Sequence, residues 1–338
     1  MPSISIALAT YNGERYIAAQ LDSIRRQSST PSELIVCDDG STDDTMSLVR
    51  DFAENASFPI RIVQNRTRLG YRANFMQAAA ACTSELIAFC DQDDVWAPEK
   101  LALMHSAFSD PKVLLAYHNA TLIDDRGFVL GTTFRRRTRK TYKPLSIYPW
   151  LVIPGFAQVV RRSLLRLTPL HSGSIDPYAP REPMPHDHWY PFWASVLGDT
   201  VYVPNTLAEY RQHDANESGW PAHYLAYALD HLRNAQQYVS GNALGARNRL
   251  DLLRRCRDLL HDDEQASVDA AIRYYESLTA NSELRAEVYR SETLPKRMRA
   301  LSSLTRHGAY TGARSDAWGF DALLLDALVG VAFNRRSR

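Results

Sequence analysis

Short apolar runs alternate with stretches of helical spacing over the first third of the chain. Ser3–Ala9, Leu34–Cys37, Ile60–Val63, Leu86–Cys90 and Val113–His118 have the length and apolar content of buried strands. Between them, Gly13–Gln27 places Tyr16, Ile17, Leu21 and Ile24 at helical spacing, and Asp43–Phe52, Arg72–Cys82 and Pro98–Phe108 read as further helices. Strand–helix alternation of this kind predicts an α/β fold with a mostly parallel central sheet, helices on both faces and right-handed crossovers. From residue 119 to about 215 the pattern loosens. Extended segments are expected near Phe156–Val160 and Val201–Val203, with a Pro-rich stretch from Pro177 to Pro191. Beyond Pro221 the spacing turns helical, with amphipathic segments at Tyr224–Val239, Arg247–Leu260, Gln265–Leu278 and Lys296–Leu304. The expected organisation is a first half-domain at 1–118, a second half of the same domain at 119–220, and a helical C-terminal region at 221–338.

Composition narrows the classes. The 338 residues carry 39 basic and 38 acidic side chains, so no overall field favours nucleic acid. Cys37, Cys82, Cys90 and Cys256 lie far apart with no metal-ligand spacing, and Cys37 and Cys90 end apolar runs as buried thiols would, which fits a reducing cytoplasm. The N-terminus enters a strand pattern directly, without the basic and apolar regions of a signal peptide. No uncharged apolar stretch approaches the roughly 18 residues of a membrane span. A cytoplasmic protein, soluble or peripheral on the membrane, is expected.

Three polar clusters follow the first, second and fourth strands: Thr10-Tyr11-Asn12-Gly13, Asp38-Asp39-Gly40-Ser41-Thr42-Asp43, and Asp91-Gln92-Asp93-Asp94. In a parallel sheet all three belong to the carboxyl edge, where open α/β sheets bind ligands. Carboxylates as close as those of Asp91–Asp94 repel one another unless a cation or proton is shared. Hard oxygen donors suit Mg²⁺ or Mn²⁺, which usually hold substrate phosphates too. Each cluster also has a local reading. Asn12 can cap the first helix, Ser41 or Thr42 the second, and Asp93 or Asp94 the helix near Pro98–Leu101.

Taken in order, Thr10–Glu14 (TYNGE), Cys37–Asp43 (CDDGSTD), Asn65–Phe75 (NRTRLGYRANF) and Cys90–Leu101 (CDQDDVWAPEKL) resemble the family 2 inverting glycosyltransferases of the GT-A fold. The resemblance is strongest over residues 1–125 and continues in patches to about 215. The DQDDVWAPEKL form is similar to a rhamnosyltransferase-like branch that builds cell-surface polysaccharides. The resemblance implies that Thr10, Tyr11, Glu14 and Asp39 bind the nucleotide. It also implies that Asp91 faces the ribose or a metal-bound water and that Asp93 coordinates the cation. Arg72 stands where the family often places a basic residue near the diphosphate, and a surface helix charge is the other reading. Met184–Trp189 (MPHDHW) resembles the segment carrying the catalytic base, here Asp187. An N-cap on a helix from about Trp189 to Leu197 is the alternative, and the flanking His186 and His188 read as solvent-facing or capping. Tyr210–Asn216 (YRQHDAN) resembles an element that would bring His213 to the metal or diphosphate and Arg211 to phosphate charge. Here Asp214 replaces a frequent Gly. Gly155-Phe156-Ala157 resembles an acceptor-site segment.

The resemblance thus implies a metal-dependent transfer of a sugar, rhamnose among the candidates, from a dTDP- or UDP-sugar. The acceptor would be a glycan or polyprenyl-linked hydroxyl. Phe320–Phe333, apolar on most faces and followed by Asn334–Arg338, reads either as a helix at a membrane interface or as one packed on protein. Competing functions are a haloacid dehalogenase-like phosphatase with Asp91 as nucleophile, a nucleotide-sugar pyrophosphorylase, and a non-catalytic carbohydrate-binding scaffold. The phosphatase pattern normally opens a domain's first strand, and the pyrophosphorylase expects a Gly-rich basic loop after it.

Overall fold

A computed structural model describes residues 3–134, 136–214, 232–311 and 317–332. The chain divides into two compact units: Met1–Pro144 with Val152–Thr168 and Pro185–Ala222, and Leu145–Leu151 with Pro169–Met184 and His223–Arg338.

The first unit is built on one sheet. Strands β1 (Ile4–Thr10), β2 (Glu33–Asp38), β3 (Ile60–Gln64) and β4 (Leu86–Cys90) pair in the order β3-β2-β1-β4, all parallel. Helices α1 (Ile17–Arg25), α2 (Thr45–Glu54) and α3 (Tyr71–Ala81) connect them. Every residue of β1 and β4 is buried, as expected for strands covered on both faces. Ile17, Leu21 and Ile24 bury the apolar stripe of α1. After a two-residue strand β5 (Val95–Trp96) and helix α4 (Lys100–Ser106), the sheet continues through β6 (Val113–Ile123), β7 (Val129–Thr132), β8 (Lys140–Tyr142), β9 (Gln158–Arg161) and β10 (Asp199–Arg211). Here the sheet becomes mixed. β9 inserts antiparallel between β4 and β6, and β10 runs parallel to β6. The extended segment expected at Phe156–Val160 is a 3₁₀ turn at Gly155–Ala157 that leads into β9. The strand expected at Val201–Val203 is longer, because β10 pairs with β6 to its end. Helix α5 (His186–Leu197) lies between β9 and β10 in the chain.

The second unit is helical: α6 (Ala235–Arg255), α7 (Gln265–Arg290), α8 (Leu294–Arg306) and α9 (Gly319–Leu325), followed by a π-helical turn at Asp326–Ala332. Residues 224–231 of the expected helix, 215–216 of the Tyr210–Asn216 segment, and 333–338 lie outside the described residues. Small residues let the chain approach closely here. A Cβ on Gly241 would stand 2.2 Å from the Pro177 carbonyl oxygen. Ala235, Val239, Ala243, Ala286, Tyr289, Ala300 and Leu304 share one core cluster. Asp326, fully buried, accepts from Arg285 Nε (2.8 Å) and Nη2 (3.1 Å), Tyr289 Oη (2.7 Å) and Tyr310 Oη (2.5 Å). Three donors from α7 and a fourth from Tyr310 converge on this one carboxylate of the π-helical turn. All four cysteines are buried free thiols. Among the described residues, no helix is long and apolar enough to cross a membrane.

Removing Asp326 leaves the Arg285 guanidinium buried without its carboxylate, a loss of about 3–5 kcal/mol in comparable cases. Asp326→Ala is therefore expected to lower the midpoint of the helical unit in urea unfolding followed by circular dichroism, well beyond the change from Asp321→Ala on the exposed side of α9.

Candidate active site

The three polar clusters meet, and they are bonded to one another. Tyr11 N donates to Gln92 Oε1 (2.9 Å), and Gln92 Nε2 donates back to Tyr11 O (3.0 Å). Asn12 N donates to Ser41 Oγ and Thr42 N to Asn12 Oδ1, both at 2.9 Å. Gly13 N reaches Thr45 Oγ1 at 2.7 Å. The local capping roles are therefore not taken up. Asn12, in the left-handed region at φ 46°, accepts from the second loop, and Tyr16 is the α1 N-cap. Ser41 Oγ turns to Asp38, whose carboxylate also takes Thr10 Oγ1 and Ser41 N. Gly40, at φ 83°, supplies the backbone conformation that this turn needs. The α4 N-cap is Glu99, so neither Asp93 nor Asp94 caps that helix.

A cleft opens at this edge, with about 1010 Å³ of space when its solvent-open mouth is included. Thr10, Tyr11, Asp39, Asp91, Asp93 and Asp187 all line it, as does the Gly155-Phe156 turn. Glu14, Arg72 and Arg211, expected at the nucleotide or diphosphate, do not. The Glu14 carboxylate accepts from Asp44 N at 3.0 Å. The Arg72 guanidinium lies over the Tyr71 ring. Arg211 donates from Nε to Asp93 O (3.0 Å) and from Nη1 to Asp124 O (3.3 Å), which braces the acidic loop from its backbone. Instead Arg68, on the loop before α3, lines the cleft with its guanidinium 4.0 Å from the Tyr11 ring centre. Asp39 fixes that loop by accepting from Leu69 N (2.7 Å), Gly70 N (2.8 Å) and Asn65 Nδ2 (3.0 Å).

Asp187 stands in the first turn of α5, whose N-cap is Pro185 with no side-chain cap, so the capping alternative fails. Its Oδ1 is buried with no hydrogen-bond partner among the described residues. His186, expected to face solvent or cap, is instead buried. Its ring stacks on Phe75 at 4.0 Å and lies 4.6 Å from the Phe89 ring. A Cβ on Gly155 would meet His186 Nε2 at 2.1 Å, so only glycine fits there.

The carboxylates repel as their spacing predicts. Burial, then Asp93 and Asp187, push the Asp91 carboxyl up to about 8. Burial, Asp93 and Asp91 raise Asp94 well above the usual carboxylate range, although Arg211 N donates to its Oδ1 at 3.1 Å. His213 Nε2 lies 2.8 Å from Asp93 Oδ2, and its ring stacks on Tyr16 at 5.0 Å. Among the described residues, no group of three or more His, Cys, Asp and Glu side chains is spaced to hold a metal by itself. The donor chemistry nonetheless fits Mg²⁺ or Mn²⁺. Such ions commonly take one or two carboxylates and complete their shell with substrate phosphates, and a cation would relieve the repulsion that raises Asp91.

Beneath the carboxylates lies Lys100, fully buried, with Nζ 3.5 Å from the Trp96 ring centre and donating to Phe156 O at 2.7 Å. The amine thus ties the acidic loop's helix to the Gly155–Ala157 turn. Nothing in the sequence singled out Lys100, Gln92 or Arg68. Their one signal was position inside or beside the matching motifs.

Residues 5–167 match the family model described as Glycosyl transferase family 2. An uncharacterized glycosyltransferase of Nostoc sp. is 27% identical over 219 residues, covering 63% of this chain and 66% of that protein. The Escherichia coli protein named UDP-Glc:alpha-D-GlcNAc-diphosphoundecaprenol beta-1,3-glucosyltransferase WfgD is 30% identical over 126 residues, 37% of this chain and 49% of that one. The chain therefore spans between about half and two thirds of these relatives' length. S. aureus TarS in complex with UDP-GlcNAc superposes with a TM-score of 0.52 over 90% of this chain and 81% of that one, at 17% identity. That likeness establishes the fold, the α/β GT-A architecture with its helical C-terminal region.

Burial pulls the Lys100 amine from 10.5 down to about 7, against the pull of Cys90, Asp94 and Asp91. Between those values the unfolded chain carries a proton that the folded chain lacks, so stability contributed by this group rises with pH and is lost as pH falls through about 7. Asp91 and Asp94, whose raised carboxyls bind protons in the fold, act in the opposite direction over the same range, so the Lys100 part is read by difference: the urea midpoint of the metal-free wild type minus that of Lys100→Met is expected to grow from pH 7.0 to 8.5 (about one and a half units apart).

Proposed function

The chain belongs to glycosyl transferase family 2 through its domain at residues 5–167, and from that premise we propose an inverting transfer. A sugar would move from a nucleoside diphosphate to a glycan or lipid-linked glycan hydroxyl. The observation that carries the mechanism is the buried, unpartnered Oδ1 of Asp187 beside the cleft that Asp91 and Asp93 also line. An acceptor hydroxyl is a poor nucleophile at neutral pH and needs a base within hydrogen-bond reach. Asp187 is that base. It takes the proton as the oxygen attacks the anomeric carbon from the face opposite the leaving diphosphate, so the configuration inverts without a glycosyl-enzyme intermediate.

The other residues divide the donor between them. Tyr11 offers a ring face to the base, with Thr10 and Asp39 at the strand ends beside it. Asp91 faces the ribose side, and Asp93 with His213 would hold Mn²⁺ or Mg²⁺. When bound, that ion supplies charge neutralisation for the departing diphosphate. Arg68 is the cation we assign to the phosphates. It now covers Tyr11 and would yield that ring face to the base while its guanidinium pairs with the diphosphate. Arg211 keeps Asp93 in place through the backbone. Glu14 acts through the loop it braces.

The nucleotide is read as UDP or dTDP, supported by the UDP-GlcNAc that TarS holds. A diphosphate–lipid acceptor is supported by the E. coli relative's name, and rhamnose as the sugar by the DQDDVWAPEKL motif. Work at the cytoplasmic membrane face fits the exposed Phe320, Leu324 and Leu328, spaced four residues apart along α9 and the following turn.

Asp187→Asn is expected to lower transfer by about 10²–10⁴-fold, with UDP affinity in the presence of Mn²⁺ unchanged by calorimetry. Retained turnover would remove the assignment. Arg68→Ala is expected to weaken UDP by about tenfold while leaving uridine binding equal or tighter. A parallel loss of both ligands would make Arg68 structural only.

A further inference from the structure

From Arg126 to Ile175 the sequence contains no Asp or Glu, although the whole chain is nearly balanced. Six of the basic residues fall between Arg126 and Lys140. In the structure this stretch starts as the β6–β7 hairpin, whose tip is held firmly. Asp124 N donates to Phe128 O (2.9 Å), and Asp124 Oδ1 accepts from Arg126 N (2.9 Å) and Phe128 N (2.8 Å). Asp125 pairs with Arg15 at 2.9 Å. The two carboxylates nearest the tip are thus already engaged.

That ordered tip presents apolar side chains to water. Phe128 is 68% exposed, Val129 70% and Leu130 40%. β7 bonds to β6 and, among the described residues, to no other strand. Past β7 the chain is anchored at Asn119, whose Oδ1 accepts from Thr133 Oγ1 (2.9 Å) and Phe134 N (2.8 Å). Phe134 packs on Tyr117 and Tyr202. Beyond this anchor Arg136, Arg137 and Arg139 are exposed again, as Arg126 is at the tip.

Fixed apolar residues at the tip and an exposed run of one charge sign in the same stretch of chain mark an interaction surface. We infer that this surface of the first unit docks on an anionic lipid bilayer. Phe128, Val129 and Leu130 enter the boundary of the acyl region, and Arg126, Arg136, Arg137 and Arg139 meet headgroup phosphates. A polyanionic glycan or nucleic acid would satisfy the arginines but leave the apolar tip in water. A neutral protein partner would leave the charge unmatched. The hairpin grows from the end of β6, where Arg211 Nη1 reaches the carbonyls of Asp124 and Asp125. Docking there would hold the acidic loop's edge near a lipid-linked substrate.

The test is co-sedimentation of the full chain with vesicles of phosphatidylcholine alone and with added phosphatidylglycerol. The wild type is expected to bind only the anionic vesicles. Each basic residue contributes about fivefold, so Arg136→Gln/Arg137→Gln/Arg139→Gln should weaken binding about a hundredfold. Phe128→Ser/Val129→Ser should weaken it at every salt concentration, a loss that a purely ionic adsorption would not show. Unchanged melting temperatures certify the fold of each variant. Overturning results are no binding to anionic vesicles, binding to heparin without binding to vesicles, or loss only in Phe320→Ser/Leu324→Ser. The assay uses no sugar donor, so failure of the transfer reading leaves it intact.

Discussion

Mutual repulsion among carboxylates is the constraint around which the first unit is arranged. Asp91, Asp93 and Asp94 leave β4 together, and α5 brings Asp187 to the same cleft. Such a gathering is unfavourable unless charge of the opposite sign is close by. Hydrogen-bonding groups offset part of it: the Arg211 backbone amide donates to Asp94, a His213 nitrogen lies 2.8 Å from Asp93, and the Lys100 amine lies underneath. What these groups leave uncompensated is visible in the elevated Asp91. The long pairing of β10 with β6 follows from the same need, since it carries Arg211 and His213 to the acidic loop.

Second to charge comes the bonding between loops. Strand-end turns usually satisfy their own backbone groups. Here they satisfy one another, through Asn12 with Ser41 and Thr42, Glu14 with Asp44, and Gln92 with Tyr11. The carboxyl edge of the sheet is therefore one bonded surface, not three independent turns. Asp39 extends it to the loop that carries Arg68.

Much of this was legible beforehand, for identifiable reasons. The strands β1, β2 and β4 are apolar and end in polar clusters, so their parallel direction and the convergence of Thr10, Asp39 and Asp91 could be read from spacing. Local rules misled where a tertiary partner won. Asn12 and Ser41 look like caps, but each has a better acceptor or donor on the neighbouring loop. The antiparallel insertion of β9 was not readable, because an extended run carries no mark of strand direction. Arg68 and Arg72 are four residues apart in one motif, and which of them faces the cleft depends on where α3 begins. Gln92 looked like a spacer between two aspartates, yet its amide matches the Tyr11 peptide group as a strand partner would. In the second unit, the Asp326 cluster joins residues up to 41 positions apart, beyond any periodic signal.

The contact of Gly155 with His186 sets a dimension. The imidazole is wedged between a glycine backbone and the Phe75 and Phe89 rings, so the height of the adjoining helix turn above the sheet is gauged by the thickness of stacked rings. A pocket floor defined in this way does not stretch. Changing the size of what the cleft admits would have to proceed by remodelling the rim, with the floor inherited unchanged.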